Sequence, residues 1–158
     1  TQDTSYNSEA YQARAKAYFE VGNYKSSLKD NDKVVEREPK NEDALANRAA
    51  AKININDNSG AITDLDKVLL MNKKSYVAYN FRVTAKTGLK QYDEAIKDFD
   101  LSIKYKFDYS SAYANRAAAK MAKKDKKGAC KDLETADQLG SPIAVKLMQQ
   151  YCTGTGTK

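Results

Sequence analysis

Arginine recurs every 34 residues along this chain, at Arg14, Arg48, Arg82 and Arg116. An aspartate follows each one sixteen places later, at Asp30, Asp64, Asp98 and Asp132. Small residues keep the same interval at Ala10, Ala44, Ala78 and Ala112, and again at Ser27, Ala61, Ala95 and Ala129. A period shared by several residue types means that one supersecondary unit is copied four times, each copy hiding apolar surface against the next. Arrays of this kind seldom do chemistry; they present a surface.

The 158 residues suffice for one short array, and 41% hydrophobic with 30% charged residues describes a chain that folds. No run of about 18 apolar residues occurs, so no membrane span is expected. The chain opens on Thr1 with no basic-then-apolar leader, as it would after removal of a signal peptide or at a start within a longer chain. Histidine is absent, which removes the usual general base of acid–base and Ser–His chemistry. Two cysteines without histidine fall short of a structural zinc site. No metal, cofactor or catalytic activity is expected.

The units run 8–41, 42–75, 76–109 and 110–143, the last with helices to about residue 139, after an extension over 1–7. Each holds two apolar-periodic stretches around a short polar break, the pattern of a helical hairpin. The breaks fall at Gly22-Asn23, Asn56-Asp57-Asn58, Leu89-Lys90-Gln91 and Lys124-Asp125. Asn41, Ser75 and Ser110 read as caps for the helices that follow them. On the second helix of the third unit, Tyr92, Ala95, Ile96, Phe99 and Ile103 share a face. Beyond the fourth unit, Gly140-Ser141-Pro142 reads as stop, cap and first helical residue of a capping helix over 142–152, carrying Ile143, Ala144, Leu147, Met148 and Tyr151 as its apolar stripe. The tail 153–158 is expected to fray.

Three polar features need an assignment. Equal numbers and a shared phase favour structural ion pairs between the arginines and aspartates over a row of cations awaiting an acidic ligand. Lys120, Lys123, Lys124, Lys126, Lys127 and Lys131 crowd one turn and contribute to the net charge of +6. A solvated loop explains them; the alternative is attraction of nucleic acid or an anionic surface through residues 120–131. Cys130 and Cys152 lie at similar distances either side of the Gly140–Pro142 turn. Antiparallel helices would place both about 15 Å from it, at one end. They form either a bridge, which implies a periplasm or the cell exterior, or two reduced thiols, which imply a cytoplasm.

With Tyr11, Leu45, Tyr79 and Tyr113 at the fourth position of each unit, Ala15, Ala49, Val83 and Ala117 at the eighth, Tyr24 and Tyr92 at the seventeenth and Pro39 at the thirty-second, the chain resembles the tetratricopeptide repeat family. Tryptophan is missing, Asn31 stands where a large apolar residue is usual, and Asn58 and Lys126 replace the aromatic. The resemblance implies an all-α, right-handed superhelical solenoid of four hairpins plus the capping helix. It also implies a non-catalytic scaffold or adaptor that takes a partner peptide or helix in a concave groove.

By the same resemblance the groove is lined by the first helix of each hairpin. The first unit contributes Glu9, Gln12, Ala13, Lys16 and Phe19, and the second Asp43, Ala46, Asn47, Ala50 and Ile53. Val77, Asn80, Phe81, Thr84 and Thr87 follow from the third, and Ser111, Ala114, Asn115, Ala118 and Met121 from the fourth. Such a lining is nearly neutral. Its asparagines can donate to and accept from an extended peptide backbone. Some family members clamp a C-terminal carboxylate, but the corresponding positions here are Gln12, Lys16, Asn47, Val77 and Phe81, and only Asn47 matches. A chaperone-tail ligand of that kind is not expected.

Overall fold

A computed structural model describes residues 6–106 and 110–152. Among these residues there are nine α-helices and no strand: α1 Ser8–Glu20, α2 Tyr24–Arg37, α3 Glu42–Asn54, α4 Asn58–Met71, α5 Tyr76–Gly88, α6 Tyr92–Tyr105, α7 Ser110–Ala122, α8 Lys126–Gln138 and α9 Ala144–Tyr151. First helices start at 8, 42, 76 and 110, and second helices at 24, 58, 92 and 126, so the sequence interval reappears in the helix starts. The next step of the first series is 144, where α9 begins. The capping helix thus stands where a fifth hairpin would open, cut to eight residues. Tyr109, at the boundary of the third unit, and the tail 153–158 lie outside the described residues, as does most of the extension 1–7.

Each hairpin turns through one left-handed residue: Gly22, Asn56, Lys90 and Lys124, with φ of 76°, 65°, 59° and 66°. Glycine adopts that conformation freely and asparagine tolerates it, so a small strain falls on the turns at Lys90 and Lys124. The following residue then caps the second helix. Asn23, Asp57 and Asp125 accept from the backbone N–H of Ser26, Gly60 and Gly128. Gln91, a methylene longer than asparagine, makes no side-chain cap bond. Asn41 and Ser75 cap α3 and α5 by accepting from the N–H of Ala44 and Ala78.

Two sequence expectations are corrected at helix starts. Ser110 is the first residue of α7 rather than its cap. Ser141 and Pro142 precede α9 instead of capping and opening it. Gly140 reverses the chain at φ 79°, and the Ser141 N–H bonds back to the Ala136 carbonyl at 2.8 Å. Ser141 is therefore used to close α8, and α9 starts two residues later than the sequence suggests, behind Ile143 and without a side-chain cap.

Helices pack on their neighbours in order, and α1 touches α3 while α3 touches α5, so the first helices form an inner row. The small residues make this close stacking possible: Ala15, Ala49, Val83 and Ala117 are all at most 2% exposed. Val34, Leu45, Leu65, Val68 and Tyr79 form one continuous core from α2 to α5. Phe99 and Leu133 anchor smaller, alanine-rich clusters beyond it. Leu65, Phe99 and Leu133 hold one phase of the repeat, and the same place in the first hairpin is Asn31, also fully buried. Its Nδ2 donates to the Ser27 carbonyl at 3.0 Å, while its Oδ1 has no partner among the described residues.

Candidate functional site

The arginines and aspartates come together in every hairpin. Arg14 forks onto Asp30, with Nε and Nη2 each 2.7 Å from a carboxylate oxygen. Arg48, Arg82 and Arg116 grip Asp64, Asp98 and Asp132 in the same two-bond geometry at 2.6–2.8 Å. A third nitrogen then reaches back to the preceding hairpin. Nη1 of Arg48 donates to Asp32 at 3.0 Å, that of Arg82 to Asp66 at 2.6 Å, and that of Arg116 to Asp100 at 2.6 Å. Lys52, Lys86 and Lys120 add an ion pair to Asp64, Asp98 and Asp132.

Arg48, Arg82 and Arg116 are thus each bonded to carboxylates of two hairpins, whereas Arg14 pairs with Asp30 inside its own. Burial raises the pKa of the Asp64 carboxyl, but hydrogen bonds from Arg48 and Lys52 outweigh it and hold the pKa below the ordinary carboxylate value. Burial likewise opposes the Arg82 charge, and hydrogen bonds to Asp98 and Asp66 overcome it, leaving the pKa raised. The sequence reading missed both extra series. Asp32, Asp66 and Asp100, like Lys52, Lys86 and Lys120, keep the 34-residue interval, and that interval was the signal available.

The inner row carries a hollow of about 270 Å³ lined by Ala15, Lys16, Phe19, Glu20, Ser27, Asn47, Ala50 and Phe81. It draws on α1, α3 and α5, the first helices of three consecutive hairpins, and on Ser27 from α2. Phe19 and Phe81 supply its large apolar surface. Asn47, Lys16 and Glu20 are exposed at its edge. Phe19 is steadied by an edge contact with Tyr24 at 5.1 Å, and Phe81 rests against the continuous core.

The other predicted lining residues do not join this hollow. Ile53, partly buried, packs against the continuous core. Ala118 and Met121 line a separate cavity of about 180 Å³ with Ala117, Leu133, Leu147 and Tyr151, where α9 folds over the end of the array. Asn80, Thr84 and Asn115 line neither cavity. The Thr84 hydroxyl instead donates to the Asn80 carbonyl within its own helix. Ser27, Ala15 and Glu20 entered the hollow unforeseen.

Within the lysine cluster, Lys120 pairs with Asp132 and Lys123 with Asp93, which leaves the crowding at the turn partly neutralised. Cys130 and Cys152 form a disulfide, their Cα atoms 5.8 Å apart, tying the end of α9 to α8. Among the described residues no helix is long and apolar enough to cross a membrane.

Residues 8–41 match the tetratricopeptide repeat model. No curated protein matches the chain. Solved structures with the same fold include MamA, residues 41 to its end, from Desulfovibrio magneticus RS-1, with a TM-score of 0.80 at 19% identity over 91% of this chain and 81% of that one. The first TPR domain of human RPAP3 superposes with a TM-score of 0.71 at 22% identity, covering 76% of this chain and 94% of that one. The first TPR of Spaghetti (RPAP3), bound to the HSP90 peptide SRMEEVD, gives 0.70 at 22% identity, covering 73% and 91%. Residues 8–41 are thus matched as a tetratricopeptide repeat, and the four hairpins in one phase share the fold of tetratricopeptide repeat domains.

Proposed function

We propose that the chain is a non-catalytic protein-interaction module whose concave hollow takes a short segment of a partner protein. The observation that carries this reading is the convergence of Phe19, Ala50, Phe81 and Asn47, from three hairpins, on one partly apolar hollow. An apolar side chain of the ligand would insert between Phe19 and Phe81. Asn47 would hydrogen-bond the adjoining peptide backbone, as an amide that both donates and accepts can do. The structure of Spaghetti with its HSP90 peptide supports peptide capture by this fold, but a carboxylate clamp of the expected pattern is absent here, so the ligand differs from a chaperone tail. The Cys130–Cys152 bridge fits work in an oxidising compartment, a periplasm or the cell exterior.

Peptides selected from a random library against the full chain test this reading. Phe81→Asp and Asn47→Ala are expected to weaken the selected peptides about tenfold or more while the thermal transition is kept, and high salt is expected to leave binding nearly intact. Undiminished binding by both variants would refute the hollow as the site. Binding that collapses with salt and depends on Lys124, Lys126, Lys127 and Lys131 would shift the function to the lysine turn.

A further inference from the structure

The repeat itself shows what a first helix expects on its outer side. The equivalents of α1 are α3, α5 and α7, and each is covered by the second helix of the hairpin before it. Ala44 and Leu45 of α3 are fully buried and share a core cluster with Val34 and Val35 of α2. Ala78 and Tyr79 of α5 share the same cluster with Val68 and Leu69 of α4. In each case the covering helix also supplies the carboxylate for Nη1 of the arginine: Asp32, Asp66 or Asp100. The recurring occupant is therefore an amphipathic helix with a carboxylate, followed in α2 and α4 by apolar side chains two and three residues on and in α6 by Ser102 and Ile103.

On α1 the same face has no such cover among the described residues. Asn7, Ala10, Tyr11 and Arg14 line a hollow of about 270 Å³. The Arg14 side chain is 56% exposed, against 14%, 17% and 16% for Arg48, Arg82 and Arg116. Its Nε and Nη2 are engaged by Asp30, and its Nη1 has no acceptor among the described residues. Tyr6 stacks on Tyr11 at 5.7 Å and donates to Glu38, which covers only the Tyr11 side of the face.

We propose that this outer face of α1 is a second docking surface, separate from the concave hollow, for an acidic amphipathic helix of a partner protein. Arg14 Nη1 would receive the helix's carboxylate, and Ala10, with the part of Tyr11 that lines the hollow beside the Tyr6 stack, its apolar side chains. Charge complementarity selects the occupant, because three interior joints, each with a lysine where this hairpin has Tyr18, show the guanidinium taking a carboxylate at this atom. A second copy docking head to tail does not fit. On the matching side of α8 Glu134 is exposed, but Ala136, the apolar position two residues on, is already packed against Ala144 of α9, which is tethered by Cys130–Cys152 and carries no acidic residue.

The probe is a synthetic peptide with the sequence of residues 24–37, the helix that performs this covering role on α3, stapled in helical form through its exposed Lys29 and Lys33 positions. Titrated into the full chain, it is expected to bind saturably and to shift the amide resonances of α1. An Asp32→Asn version of the peptide is expected to bind about tenfold more weakly, the loss of one charge-assisted hydrogen bond. Ala10→Glu in the protein, a change at an exposed helical position that keeps Arg14 paired with Asp30, is expected to abolish binding. Against Arg14→Lys, the two peptides are expected to bind alike, since the fork that distinguishes them is gone. No binding, equal binding of both peptides to the unaltered protein, or shifts confined to the concave hollow would overturn the proposal. So would self-association of the full chain that Ala10→Glu abolishes, which would assign the face to a second copy.

Discussion

At the C-terminal end of the array, α9 lies on α8, Ala144 is fully buried, and a disulfide fastens the two helices. At the N-terminal end, α1 buries only Ala15, Arg14 stays largely exposed, and the core position of the hairpin is held by an asparagine instead of a leucine or phenylalanine. The frame is the same at both ends; what finishes it differs. A solenoid hairpin cannot bury both of its sides alone. A truncated extra helix seals the open side at the C-terminal end, whereas among the described residues the other end leaves a partly apolar face with a half-exposed Arg14–Asp30 pair and a polar spot in its core.

Breaking the seal is expected to have the largest effect. Reduction of Cys130–Cys152 releases a cross-link that spans 22 residues, and it is expected to cost about 3 kcal/mol in the stability of the C-terminal end. Hydrogen exchange should show faster amides in α8 and α9 with α3 and α4 little changed. An even loss across all helices would mean that the bridge does not act on one end. Intact mass before and after reduction, differing by two hydrogens, establishes the bridge itself.

Next comes the contrast between joints. Arg82→Met strips an ion-pair partner from Asp98, whose side chain is 4% exposed. Lys86 still serves that carboxylate, so a loss of about 2 kcal/mol is expected by urea denaturation. Arg14→Met removes one exposed pair and should cost under about 1 kcal/mol. Equal losses would erase the distinction between the interior joints and the open end.

A gain follows from the polar core position. Asn31→Leu copies the residue at 65 and 133 and removes a buried oxygen without a partner, so stability should rise by about 1–2 kcal/mol. A loss would show that the asparagine is needed where it stands.

The smallest effect is in pH. The Asp64 pKa is lowered in the folded protein, so its ion pairs stabilise above the ordinary carboxylate pKa, and this contribution disappears as pH falls below about 4 through the folded value. Asp64→Asn is expected to flatten that part of the stability–pH curve, and an unchanged slope would contradict the assignment.

The parts of this architecture that depend on phase were readable from residues alone. Arg14 and Asp30, with their three copies, pair because they share a hairpin, and an interval of sixteen residues sets their positions on facing helices. Contacts between hairpins were harder. Whether Arg48 can reach Asp32 depends on how far one hairpin slides along the next, which no single unit encodes, although Asp32, Asp66 and Asp100 shared the interval throughout. The start of α9 was placed two residues early because Ser141 and Pro142 carry cap and first-turn chemistry, whereas closing α8 uses the Ser141 amide. The groove was readable as a set of helix positions but not as a site. Phe81 and Asn47 meet Phe19 in one hollow, while Met121, in the phase of Phe19 but three hairpins further on, is taken by α9.

Amide chemical-shift mapping of the full chain, titrated with a library-selected peptide, tests the concave hollow most directly. The account predicts shifts clustered at Lys16, Phe19, Asn47, Ala50 and Phe81, lost in Phe81→Asp. Shifts gathered instead on the second helices α2, α4, α6 and α8, or on the lysine turn at 123–131, would contradict it.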